Sequence, residues 1–199
     1  MRVVVVGATG TIGKATVEAF EKQGDEVIAA SRSSSPSIDM TDPASVDAFF
    51  DEVGEVDAVV ATLGAAPFVS LPEASTEDFR SGFENKLLGQ INLVLRGLPH
   101  LRDNGSFTLI TGILTQHPVK KSVVATSVNG GVEAFVTGAA TDLPRGIRIN
   151  VVSPTVIEES LEGYGPSFPG FEPAPAARAG NAFVRSAHGA ESGQVFRVW

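Results

Sequence analysis

The 199 residues include no cysteine, which removes disulfides, thiolate metal ligands and thiol nucleophiles together. Histidine is almost as scarce. The three present, His100, His117 and His188, have no metal-ligand spacing, so no metal site is expected. Basic side chains are in deficit, with 15 Lys and Arg against 23 Asp and Glu and a formal charge of −8. Nucleic acid and anionic membranes are bound by releasing counterions from a basic face, so neither is an expected partner. Long apolar runs are missing as well. The valines at 3–6 give way at once to glycine and polar residues, too short a stretch for a bilayer span or a secretory signal. A cytoplasmic, globular protein is the expectation.

What is present is 43% hydrophobic residues in an alternating strand and helix pattern. Apolar or β-branched runs at 2–6, 26–30, 56–63, 106–111, 147–152 and 194–198 read as strands, with a short apolar pair around Ile38 as a further short one. Helical spacing fills 11–23, a segment opening at Thr41-Asp42-Pro43, then 75–98, 122–143 and 174–186. Such alternation predicts an α/β fold of Rossmann type, a doubly wound parallel sheet of about seven strands with helices on both faces. One crossover helix is missing, because Ser31-Arg32-Ser33-Ser34-Ser35-Pro36-Ser37 is too short and too rich in Ser and Pro. No linker divides residues 1–199, which read as one domain. A Pro-rich segment at about 158–180 reads as a substrate loop.

The opening strand runs into Gly7-Ala8-Thr9-Gly10-Thr11-Ile12-Gly13 and then a helix. That arrangement suits a diphosphate: Gly7 for the tight turn, Gly10 for close approach, and Gly13 for packing of the helix on the strand. The helix N-terminus faces the anion. Gly7, Thr9, Gly10, Thr11, Ile12 and Gly13 are therefore candidate dinucleotide contacts. At the end of the second strand, Ser31, Arg32 and Ser33 stand where an NAD site would carry a carboxylate. A guanidinium flanked by hydroxyls suits a 2′-phosphate, so NADP(H) is preferred and NAD(H) is the alternative; Arg32 as a solvated loop cation is the plainer reading. Asp39 and Met40 fall where an adenine would lie, Asp39 able to accept from its amino group.

These residues, together with Ala61-Thr62-Leu63-Gly64, residues 105–112 and residues 132–156, resemble the short-chain dehydrogenase/reductase superfamily from about Arg2 to Ile157. The resemblance implies that Thr62, Leu63 and Gly64 lie beside the adenosine ribose, and that Pro154 and Val156 meet the nicotinamide amide. It places the superfamily's catalytic Tyr at Ala125, its Lys at Asn129, its Ser at Gly112 and its helix Asn at Lys86, so all four positions are substituted. Lys86 and Asn129 look exchanged. On a helix whose buried stripe is Phe79, Phe83, Leu87, Ile91 and Val94, Lys86 falls about 90° from the stripe centre and Asn85 faces water. Lys86, Thr111 and Asn129 are the candidate catalytic residues, with Asn129 as the polar partner of Lys86; a Lys snorkelling at a subunit interface is the rival reading.

His117 stands as a candidate acid or an ordinary loop residue. Tyr164 and Phe168 are expected as a lid over substrate or as anchors of the loop. The implied activity is hydride transfer from NADP(H) to a small carbonyl or imine; the alternative is a catalytically silent NADP(H)-binding sensor or partner subunit. Surplus apolar residues on the helices at 75–98 and 122–143 lead to the expectation of a homodimer or homotetramer.

Overall fold

A computed structural model describes residues 1–199. Its sheet has six strands, all parallel, in the order β2-β1-β3-β4-β5-β6. They are β1 (Arg2–Val6), β2 (Glu26–Ala30), β3 (Val56–Ala61), β4 (Leu101–Ile110), β5 (Arg148–Pro154) and β6 (Val195–Val198). The helices are α1 (Thr11–Lys22), α2 (Pro43–Val53), α3 (Thr76–Gly82), α4 (Gly89–Gly97), α5 (Val123–Ala139), α6 (Leu161–Tyr164) and α7 (Ala176–His188). Parallel strands require crossovers, and the helices within them cover both faces. One core gathers Phe49, Phe50, Leu93 and Phe107, while Phe20, Phe183 and Phe196 fill the other.

The count of about seven strands is corrected to six. Ile38 is buried but forms no strand, because the residues before it bond to one another. Ser31 N–H donates to Ser34 Oγ at 2.8 Å, Ser34 Oγ donates to the carbonyls of Ser31 and Pro36, and Ile38 N–H returns to Ser31 O at 2.9 Å. With no strand at Ile38, the expected loss of a crossover helix is corrected as well: the serine-built turn leads on to α2, and every crossover of the sheet carries a helix.

The helix expected over 75–98 is interrupted. Ser75 and Asp78 form a capping box that starts α3, a π turn occupies Phe83–Leu88, and α4 follows. Of the expected stripe only Val94 is buried, while Phe79, Phe83, Leu87 and Ile91 are half buried. The rest of the buried side is Gly82, Lys86, Gly89, Gln90, Leu93 and Gly97. Small residues there let the helix approach closely: a side chain at Gly97 would meet Phe50 at 2.9 Å, and one at Gly82 would meet Val124 at 2.8 Å. The Pro-rich loop also has structure of its own, with α6 between two short 3₁₀ turns and a bridge from Ile157 to Ala174.

Close packing makes two glycine substitutions diverge. A Cβ at Gly180 on α7 would lie 2.6 Å from the Ala15 carbonyl of α1, whereas one at Gly138 on α5 meets nothing within 4 Å. Urea unfolding should show Gly180→Ala losing about 1–3 kcal/mol and Gly138→Ala gaining about 0.5–1 kcal/mol.

Candidate active site

The sheet order reverses at β1, which leads to β2 on one side and β3 on the other. Open α/β sheets bind ligands at this point, outside the carboxyl ends of the strands. Here Gly7 turns the chain with φ +89°, and α1 then starts so close to the turn that any Cβ at Gly13 would overlap the Gly7 carbonyl oxygen. The Thr62 hydroxyl donates to Val6 O at 2.9 Å and ties β3 to β1. Gly10 N–H returns to Gly7 O and Lys14 N–H to Gly10 O, but the amides of Thr9, Thr11, Ile12 and Gly13 donate to no group in the protein. Four donors at a helix N-terminus are therefore left without a partner in the protein.

Beyond β2, Ser31 Oγ lies 3.2 Å from Ser33 Oγ and from the Ser33 amide, so the two serines flank an exposed Arg32 in a set turn. No carboxylate pairs with Arg32. Asp39 is half buried and accepts from the hydroxyl and amide of Thr41, which hold its carboxyl below the usual range, with Arg32 adding to the effect. Met40 is different. Its side chain is buried in the core against Gly89, so it offers no surface to an adenine.

At the carboxyl ends of β3, β4 and β5 lies a cavity of about 380 Å³. It is bounded by Thr11, Ile12, Thr62, Leu63 and Gly64 on one side and by Pro154, Thr155 and Val156 on the other. Lys86 is the only charged side chain in its wall. The buried Lys86 stem passes Gly64, where φ is +144° and an added Cβ would lie 2.5 Å from Lys86 Cγ. Lys86 Nζ donates to the Thr111 carbonyl at 3.4 Å. Burial pushes the ammonium pKa down to about 8, and the charge of Glu133 resists part of that fall. Asn129 Nδ2 donates to the Gly112 carbonyl at 3.4 Å, while Asn129 Oδ1 and Thr155 Oγ1, both buried, have no partner. A ligand with donors of its own would satisfy them.

Lys86 and Asn129 thus share a cavity but do not bond to each other, which corrects their expected pairing. Thr111 contributes its carbonyl rather than its hydroxyl, which donates to Glu133 Oε1 at 3.2 Å. Ala125 and Gly112 also line the cavity, as do Tyr164 and Phe168. His117 does not. It is exposed, set edge-on to Trp199 at 5.0 Å, and takes no part in the cavity.

Comparison with known proteins agrees with this geometry. Residues 7–191 match the family described as enoyl-(acyl carrier protein) reductase. The chain belongs to the short-chain dehydrogenase/reductase superfamily. L-fucose dehydrogenase of Rattus norvegicus is 30% identical over 173 residues, covering 76% of this chain and 64% of that enzyme. The chain thus spans less than two thirds of the length of the first curated relatives that it matches. Among solved structures, the protein lin1944 from Listeria innocua is 44% identical over the whole of both chains, with a TM-score of 0.97. A small-chain dehydrogenase in complex with NADPH is 25% identical, with a TM-score of 0.88 over all of this chain and 96% of that one.

Within this short-chain dehydrogenase/reductase, sequence reasoning missed two polar residues. Glu133 on α5 accepts from Thr111 and, at 3.0 Å, from Gln116 Nε2. Gln90 on α4 is fully buried and bonds to both backbone groups of Ile110. The signal for Gln90 was a large polar residue four positions after Lys86 among apolar neighbours, a spacing that puts both on one helix face.

Because the folded state binds the Lys86 proton less tightly than the usual 10.5, its burial costs stability wherever the amine is protonated, and that cost fades as pH rises from about 8 to 10.5. Lys86→Met should therefore be more stable than the wild type at pH 7, by up to about 3 kcal/mol. Its advantage should shrink by pH 10 in urea titrations across that range.

Proposed function

We propose that the chain is an NADP(H)-dependent reductase that adds hydride to a small carbonyl compound. The observation behind this reading is a lone, buried ammonium in the wall of a cavity that also reaches the first residues of α1. The four unpaired amides of Thr9, Thr11, Ile12 and Gly13 fit a diphosphate. A Cβ at Gly10 would make only an ordinary contact at 3.5 Å within the protein, so an outside ligand is the better reason for glycine there. Ser31, Arg32 and Ser33 would hold the 2′-phosphate, and Asp39 the adenine amino group. Thr62, Leu63 and Gly64 would border the adenosine ribose. Pro154 and Val156 would meet the nicotinamide amide, with the orphaned Thr155 hydroxyl beside them. The solved small-chain dehydrogenase holding NADPH supports the same cofactor here.

The dinucleotide supplies a hydride. As carbon accepts it, negative charge grows on the carbonyl oxygen, and Lys86 is placed to bond to that oxygen and hand it a proton. The products are an alcohol and a neutral amine, which solvent then reprotonates. No carboxylate lines the cavity, so a cationic iminium would meet only repulsion, and a carbonyl is favoured over the imine alternative. At about 380 Å³ the cavity is near the lower end for ligand sites, which leaves room for only a small substrate once a nicotinamide is seated. Ala125 at the tyrosine position and the engagement of the Thr111 hydroxyl with Glu133 favour the second reading, a protein that binds NADP(H) without turnover.

Fluorescence titration with NADPH and NADH, followed by a panel of small aldehydes and ketones, tests both. Lys86→Met should lower kcat about 100-fold or more while NADPH affinity stays within about threefold, and Arg32→Ser should weaken NADPH alone by about tenfold. Tight NADPH binding with no oxidation across the panel leaves the silent reading standing, and absence of binding removes both.

Leu88 and Leu95, 47% and 62% exposed and seven residues apart, support pairing of this chain as a homodimer or homotetramer. Light scattering at micromolar concentration should give at least twice the mass of one chain.

A further inference from the structure

We propose that Gln90 is the positioning residue for Lys86: its side-chain amide ties the π turn to the last residue of β4 and so delivers the Lys86 amine to the Thr111 carbonyl. The inference rests on the reading of Lys86 as the proton donor.

The need for such a tie arises in the sheet. β3 pairs with β4 only as far as Val60↔Thr108, whereas β5 follows β4 to Ile110 and takes the Thr111 amide at Val152 O. In a parallel strand the N–H and C=O of one residue point to the same neighbour, so both groups of Ile110 face the side that β3 has left. Left unpaired in the interior, they would be costly. Gln90 takes the place of the missing strand. Its Oε1 accepts from Ile110 N–H at 2.7 Å, and its Nε2 donates to Ile110 O at 3.0 Å and to Lys86 O at 3.2 Å. One fully buried amide therefore joins the backbone of Lys86 to the residue preceding Thr111. The Lys86 stem then runs along Gly64, which has no side chain to deflect it, and the amine ends at Thr111 O. An apolar residue at position 90 could fill the volume, but it could neither satisfy Ile110 nor hold the π turn to it.

The chain has five lysines, so Lys86 can be followed by ¹³Cε NMR and assigned by the loss of its signal in Lys86→Met. In the wild type the Lys86 signal should titrate near 8. In Gln90→Met, and likewise in Gln90→Asn, the amine escapes toward solvent. Its midpoint should rise by at least one pH unit, the alkaline limb of kcat should move with it, and kcat should fall tenfold or more with KM for NADPH within threefold. A purely structural Gln90 would lower Tm and leave both the midpoint and the pH limb in place, which overturns the proposal. If Lys86→Met leaves the pH profile of kcat unchanged while Gln90→Met still moves the NMR midpoint, positioning stands and the proton-donor reading falls. Should neither variant fold, the wild type decides. The Gln90 side-chain amide protons should exchange at least 100-fold more slowly than those of exposed Gln23, and equal exchange overturns the proposal.

Discussion

The structure turns on the contact between the start of α1 and the end of β1. Because nothing larger than hydrogen fits at position 13, the helix sits directly on the Gly7 carbonyl. Around it the amides of Gly10 and Lys14 find backbone acceptors, and those of Thr9, Thr11, Ile12 and Gly13 find none. The result is a set of amides that folding leaves unsatisfied at the positive end of a helix. A fold keeps such donors open most readily when an anion completes them. The rest of the site is arranged around that point: the serine turn and Arg32 beyond one flank, the cavity with Lys86 on the other.

The cavity shows a second tension, between charge and burial. An ammonium among apolar side chains is held there by one long hydrogen bond, by the more distant charge of Glu133 and by the geometry of its helix. Such a group is close to giving up its proton at neutral pH, a poor property for a structural cation and a useful one for an acid. The polar side chains around it bond to groups other than its amine. Glu133 draws the Thr111 hydroxyl and Gln116 to one side, and Gln90 fixes the end of β4 on the other.

Much of this was legible in the residues. Strand and helix alternation, the glycine loop and the helix-free serine run before Ile38 all follow from local composition, because parallel strands are buried on both faces and Ser-Pro runs cannot form helices. Of the glycine loop, Thr11 and Ile12 line one cavity together with Thr62 to Gly64 and Pro154 to Val156. The helix carrying Lys86 was read less well. Hydrophobic periodicity pointed to the stripe from Phe79 to Val94, yet only Val94 of it is buried, and beside Leu93 the buried side is made of glycines, Lys86 and Gln90, residues that an apolar pattern passes over. A π turn rotates the register within that stretch, and no propensity marks it. Core packing took the Met40 side chain, and of the two readings of His117 the structure has the ordinary loop residue, set against Trp199.

Amide NMR during addition of NADPH tests the central claim most directly. The signals of Thr9, Thr11, Ile12 and Gly13 should shift together and saturably, ahead of residues on the far edge of the sheet. Saturable binding that leaves those four signals unmoved, or no binding at all, would contradict the account.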